Sequence, residues 1–299
     1  MNQNKDTGWK GRTRGGSFGY LFFIFLIKRL GVRVAYAFLS LVVLYFIPCA
    51  PKATRSTWWY ARHILKYNRR KSACLLVRNY YRLGQILIDK VAIGCGREQQ
   101  YNFSFGEEYS KFLDLLNQQQ GVIMIGAHVG NWEIGASFFK DYGKKMNIVM
   151  FDAEYQKIKK ILEENTDTKN YKVIPVNEGD LTALFKIKDA LDRQEHVCFQ
   201  GDRYVKGSPT LQAPFMGENA RFPAGPYTLA SRLGVPVIFY FATREKGMRY
   251  VFHFRIADPV KRNKGIKPEE ELLRQYLSSL EAIVKKYPEQ WFNYYHFWA

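Results

Sequence analysis

Four cysteines in 299 residues, at positions 49, 74, 95 and 198, form no CxxC pair and no spacing that would chelate zinc. A disulfide framework and a structural zinc site are excluded on that count, and reduced, buried thiols in a cytosol-facing protein are expected. Neither GxxxxGK[ST] nor GxGxxG occurs, so there is no phosphate loop and no dinucleotide fingerprint. No internal repeat is present. Acidic residues are scarce at one end. Residues 1–80 carry fifteen Lys/Arg and one acid, Asp6, whereas the other 219 residues hold 30 basic and 26 acidic groups. The net charge of +18 is therefore an N-terminal property, suited to nucleic acid, anionic lipid or an acidic partner. A mean hydropathy of −0.31 excludes a polytopic membrane protein.

Residues 1–17 are polar, basic and glycine-rich and read as a flexible arm. Residues 18–50 form an apolar stretch broken by Lys28, Arg29 and Arg33. Its longest uncharged run, Val34–Ile47, has 14 residues. At 1.5 Å per residue that is ~21 Å, short of the ~30 Å hydrocarbon core. No small-residue cleavage site follows, which argues against a signal peptide. On one continuous helix Arg29, Arg33, Tyr36 and Ser40 would share a face, giving a basic amphipathic helix that lies in or partly inserts into an anionic membrane. A helical lead-in over 54–96 sets Trp58, Trp59 and Tyr60 beside Arg62, Lys66, Arg69, Arg70 and Lys71, the mixture found at membrane interfaces. Basic residues among aromatics also suit single-stranded nucleic acid, but the greasy neighbouring helix has no use there.

From about residue 105 short apolar strands alternate with helices. Strands are expected at 122–127, 147–152, 172–176, 196–200, 235–243 and 249–256. Helices are expected at 106–119, 131–142, 154–165, 180–193, 223–233 and 268–286, and a Gly/Pro-rich loop at 201–221. The fold class is α/β, with a mainly parallel or mixed sheet flanked by helices, and residues 51–299 form one domain. The tail 291–298 (WFNYYHFW) is too apolar to be left in water, so it docks on the sheet domain or rests at the membrane interface.

Ligand sites of such sheets gather at the carboxyl ends of strands. The strand at 122–127 runs into His128-Val129-Gly130-Asn131-Trp132-Glu133. Glycines at 126 and 130 argue against a continuous helix, and Asn131 is a good N-cap. His128 is expected on the turn and Glu133 in the first helical turn, where the carboxylate could fold back and orient the imidazole as a general base. A second His-to-acid spacing of five, His253 to Asp258, starts mid-strand and reads as a sheet histidine. Gly15-Gly16-Ser17-Phe18-Gly19 has nucleophile-elbow spacing but no preceding strand. His63, His196 and His296 show no metal-ligand spacing, and no metal is expected.

The His128-to-Glu133 segment resembles the HX4(D/E) motif of the lysophospholipid acyltransferase superfamily, and its surroundings resemble the lipid A biosynthesis lauroyl/myristoyl acyltransferase branch. The blocks that carry the resemblance are GAHVGNWE (126–133), FQGDR (199–203) with APFMG (213–217), ASRLGVP (230–236) and PEQW (288–291). It spans about residues 30–298. The resemblance implies a glycerolipid acyltransferase-like fold, a membrane-associated N-terminal helix at a bacterial cytoplasmic membrane, and acyl transfer from an acyl-carrier-protein or CoA thioester to a hydroxyl or amine of a lipid acceptor. No cofactor beyond that cosubstrate is implied. His128 would be the base and Glu133 its orienter. Gly130, Asn131 and Arg203 are candidates for oxyanion donors, and Asp202 for holding Arg203 or meeting the acceptor. Lys157, Lys159 and Lys160 stand where the branch carries arginines and are candidates for contact with phosphate or carrier protein. A thioesterase or lipase, and a non-catalytic basic membrane scaffold, are the alternatives.

Overall fold

The computed structural model describes residues 17–135, 145–151, 171–176, 182–260 and 265–298. The expected helix at 154–165 and the lysines at 157, 159 and 160 lie outside the described residues, as does most of the helix expected at 131–142 and of the arm at 1–17.

Five strands run parallel: β2 (Val122–Gly126), β3 (Met146–Phe151), β4 (Tyr171–Val176), β5 (His196–Gln200) and β8 (Val237–Arg244). β9 (Arg249–Ile256) pairs antiparallel with β8 and parallel with β1 (Asn102–Phe105), giving the order β1-β9-β8-β2-β5-β3-β4. The central strands are buried on both faces, which is why they read as unbroken apolar runs rather than as alternation. In β2, Ile123 and Ile125 face one core while Val122 and Met124 face the other. The first core includes residues of α6 (Thr182–Asp192), α7 (Ala224–Leu233) and α8 (Pro268–Lys286). The second is covered by α1 (Ser17–Leu30), α2 (Val32–Cys49), α4 (Arg69–Gly94) and α5 (Tyr109–Asn117). α8 starts as its sequence dictates, with Pro268 in the first turn, Glu269–Glu271 at the positive end of the helix dipole and Lys285 and Lys286 at the other end.

Three expectations are corrected. The 201–221 segment is not simply a loop, because β6 (Thr210–Phe215) and β7 (Glu218–Pro223) form an antiparallel hairpin. Met216 and Gly217 both have positive φ, 56° and 88°, the geometry of a two-residue turn that suits strand twist. The N-terminal helix is not continuous. Gly31, at φ 87°, separates α1 from α2, and Phe22 and Phe38 lie 4.9 Å apart, so the two helices fold back on each other. Two residues sixteen positions apart on one straight helix would be ~24 Å apart. None of the cysteines is in a disulfide, but only Cys198 is buried, while Cys49 and Cys74 are exposed.

α2 buries Val32, Ala35, Leu39 and Val43 and leaves Val34, Phe38, Leu41, Leu44 and Tyr45 exposed. α1 adds Leu21, Phe25 and Leu30, so exposed large apolar side chains concentrate on this helix pair. α2 is also, by length and composition, apolar enough to cross a membrane, with 18 residues and a mean hydropathy of 1.9. The lead-in is α3 (Pro51–Trp59), a π turn (Tyr60–Ile64) and α4. The aromatic tail docks: Trp291, Phe292 and Phe297 are buried, Trp298 stacks on Tyr60, and the Trp298 indole donates to the Phe215 carbonyl at 3.0 Å.

Leu39→Ala should cost about 2–5 kcal/mol, because it opens a cavity where α2 meets Gly84 of α4. Leu41→Ala, on the exposed side, should change stability by less than about 0.5 kcal/mol. Urea unfolding of the two variants measures the difference.

Candidate active site

Register builds the site. β2 and β5 are hydrogen-bonded neighbours with Gly126 opposite Gln200, and the Gly201 amide donates to the Gly126 carbonyl at 2.9 Å. Two residues beyond that matched pair stand His128 and Asp202. The His128 main-chain N–H donates to Asp202 Oδ2 at 3.0 Å, and its ring Nδ1 lies 2.8 Å from Oδ1. One carboxylate thus holds both the backbone and the ring of one residue, and the Trp291 indole N–H reaches Oδ2 at 3.3 Å. Asp202 is 1% exposed and the His128 side chain 21%. Nδ1–H directed at the carboxylate fixes the tautomer and leaves Nε2 as the basic nitrogen. Burial pushes the Asp202 carboxyl up, but the imidazole beside it, the hydrogen bond it accepts from that ring and the nearby Arg203 guanidinium outweigh burial and hold it below the ordinary aspartate value.

The floor and the brace of the turn come from distant parts of the chain. Tyr276 of α8 donates to the Gly126 carbonyl and Tyr227 of α7 to the Gly201 carbonyl, both at 2.8 Å. Gly130 has φ 60°, and a Cβ there would sit 2.0 Å from the Ala242 carbonyl oxygen. The Gly130 amide donates to Gln290 O at 2.9 Å, and the Phe292 amide to His128 O at 2.9 Å. The PEQW segment therefore lies alongside the His128 turn as a short strip of sheet.

The family described as bacterial lipid A biosynthesis acyltransferase matches residues 69–298. The chain belongs to that family. It is also similar to the phosphatidylinositol mannoside acyltransferase of Mycolicibacterium smegmatis (strain ATCC 700084 / mc(2)155), 26% identical over 138 residues. That similarity spans less than half of either protein, 45% of each.

In this family member the structure treats the residues read from sequence differently. His128 and Asp202 are brought together. Glu133 is not the carboxylate on the His128 Nδ1: it is ion-paired with Lys90 of α4, while Asp202 holds the ring. The positive φ at Gly130 redirects the chain, so five residues of sequence do not fold back onto the imidazole. The expectation that the Gly130 and Asn131 amides serve as oxyanion donors is also corrected. The first donates to Gln290 and the second to Ala242 O at 2.8 Å, so both are spent inside the fold. Arg203 adjoins Asp202, and its guanidinium donates to the Phe292 carbonyl, which ties it to the tail.

Sequence reasoning missed Trp291 and Gln290 as partners of the site, although both lie within the recognised PEQW block. It also missed Tyr227 and Tyr276, for which no local signal exists. His253 is structural, as read: its Nε2 lies 2.9 Å from Thr243 Oγ1, and burial, aided by Lys286, lowers its pKa to about 4. On the other face of the sheet a narrow apolar pocket touches Gly126, lined by Met124, Trp132, Met146, Ile148, Cys198 and Tyr240. Burial raises the Cys198 thiol to about 12, so it packs as a neutral group. Among the described residues no group of three or more His, Cys, Asp or Glu could hold a metal ion.

Gly130→Ala should destabilise the protein by roughly 3 kcal/mol or more, since the methyl meets backbone and the φ is strained. Calorimetry gives the value. Because the Asp202 pKa is lowered on folding, its contribution is present above the ordinary carboxylate pKa of about 4 and is lost as pH falls through the lower folded value. Asp202→Asn should therefore flatten the acid limb of a stability-versus-pH curve below about pH 4. An unchanged acid limb would show that another carboxylate governs it.

Proposed function

We propose that this acyltransferase moves a fatty acyl chain from an acyl-carrier-protein or CoA thioester to a hydroxyl or amine of a lipid, at the surface of the bacterial cytoplasmic membrane and on its cytoplasmic side. The single observation that carries the chemistry is the His128–Asp202 pair, with one face sealed and the other open. His128 Nε2 takes the proton from the acceptor as its oxygen or nitrogen attacks the thioester carbonyl. The tetrahedral intermediate collapses, the C–S bond breaks, and the departing thiolate recovers the proton from His128. Asp202 stabilises the imidazolium formed between these steps. Charge developing on the carbonyl oxygen falls within the field of Arg203. A thioester is already activated, so the mechanism uses no acyl-enzyme. The acceptor class, lipid A-like or a phosphatidylinositol mannoside-like glycolipid, follows the family and the relative. Amino-acid lipids and lysophospholipids share the same nucleophilic groups. Lys157, Lys159 and Lys160 remain proposed contacts for phosphate or carrier protein.

Membrane association is supported by the exposed apolar side of α1 and α2, with the exposed Lys28, Arg29 and Arg33 at the junction between them. Each such cation is worth about 1 kcal/mol near an anionic leaflet. Clustered Lys/Arg around exposed apolar side chains is the composition of an interfacial helix pair.

His128→Ala should lower transfer by roughly 10²–10⁴-fold in a folded protein. Asp202→Asn should approach that loss, and Glu133→Gln should fall well short of it. Lipid mass spectrometry of a deletion strain complemented with each variant reads the missing product. Full product from the His128 variant would end the general-base mechanism, and free fatty acid in place of acylated lipid would favour a thioesterase. Replacing Arg29 and Arg33 with Gln should weaken sedimentation with anionic vesicles, most at low salt where screening is least. Equal binding at every salt concentration would shift the anchor away from these charges.

A further inference from the structure

A second carboxylate, Asp89 of α4, is 0% exposed and plays no part in the chemistry above, yet it accepts from four donors. Oδ1 takes the phenols of Tyr36, on α2, and Tyr101 at 3.0 Å. Oδ2 takes Arg244 Nε at 2.7 Å and the Tyr250 phenol. Arg244, 3% exposed at the end of β8, also donates to the Tyr36 oxygen at 3.1 Å. A buried ion pair is a poor source of net stability, because desolvation consumes most of the Coulomb gain, but it fixes direction. Here both directions lead to the active-site turn. Gln290 grips the main chain of Arg244 at both ends, accepting from its N–H at 2.8 Å and donating to its carbonyl at 2.7 Å, and Gln290 O receives the Gly130 amide. Tyr250 receives the Asn131 side-chain N–H at 3.4 Å. The two arms from Asp89 end two and three residues beyond His128.

We propose that Asp89 and Tyr36 are positioning residues for His128, so that the seating of the lipid-facing helix α2 on α4 sets the geometry of the active-site turn. The N-terminal helix pair is then part of the active-site frame as well as an anchor. One arm of the test rests on the acyl-transfer reading and the other does not.

The soft variant is Tyr36→Phe in the full chain, which keeps the ring and removes the hydroxyl. Asp89→Asn is the stronger one. Hydrogen exchange followed by mass spectrometry should show roughly tenfold faster exchange in peptides covering 128–132 and 290–292 of Tyr36→Phe, as expected for loss of one hydrogen bond to a charged group. Exchange in the β6–β7 hairpin, 210–223, should stay as in the wild type. Palmitoyl-CoA turnover should show a lower kcat, by roughly tenfold, with KM within about twofold. Unchanged exchange at 128–132 in Tyr36→Phe, or the same acceleration in the hairpin, would overturn the proposal. A wild type that consumes no lauroyl, myristoyl or palmitoyl thioester of CoA or acyl carrier protein in the presence of extracted bacterial lipid would refute the acyl-transfer reading alone, leaving the exchange result to decide this one.

Discussion

Gly130 gives its amide to Gln290, and His128 gives its carbonyl to Phe292. Those two bonds make a strip of sheet between the turn that carries His128 and a segment far along the chain. Most of what surrounds the site serves this strip. Asn79 of α4 donates to the carbonyls of Glu289 and Trp291, both at 3.1 Å, so the strip is held from its outer side as well. The Trp291 indole crosses to Asp202. The tail aromatics that follow close over the hairpin, with Phe215 in edge contact with both Trp291 and Phe297. A turn with a positive φ is strained unless its surroundings over-determine it, and this one is tied on three sides.

Two buried carboxylates do different work in the same framework. Asp202 has a partly open imidazole as its partner, so its charge is available to a change of protonation a few ångströms away. Asp89 is saturated by a guanidinium and three phenols, none of which needs to change charge. The first arrangement suits chemistry and the second suits rigidity. α4 serves both, presenting Asp89 to Arg244 and the adjacent Lys90 to Glu133, with Asn79 nearly three turns earlier reaching the strip.

The α/β alternation was legible because strands buried on both faces and amphipathic helices leave strong local periods. β5, β9 and the last helix were read at the ends the structure gives them. The hairpin was hidden by Pro214 and by polar strand residues that face outward. β1 was too short to register. The His128 turn was found from its glycines, but the carboxylate on the ring was not. A partner supplied by strand register is separated from His128 by 74 residues, and nothing local to either segment announces the pairing. Glu133 looked like the partner because it is close in sequence, and proximity along the chain says little across a residue with positive φ. The exposed apolar stripe of α1 and α2 lies within the apolar stretch that stood out in the sequence. The inward turn of Tyr36 did not stand out, because the carboxylate that draws it in, Asp89, lies 53 residues away in the sequence.

Pairing the His128 turn with residues 290–292 makes the last part of the chain necessary for completing the fold around His128. During synthesis the histidine, its strand and its carboxylate are all made before the strip that locks them. A nascent or clipped chain that lacks the PEQW segment holds His128 and Asp202 without the strip that braces the turn, and loop closure over most of the domain must be completed before the turn is fixed. Late completion of this kind places a checkpoint on integrity at a segment that is made long after α1 and α2.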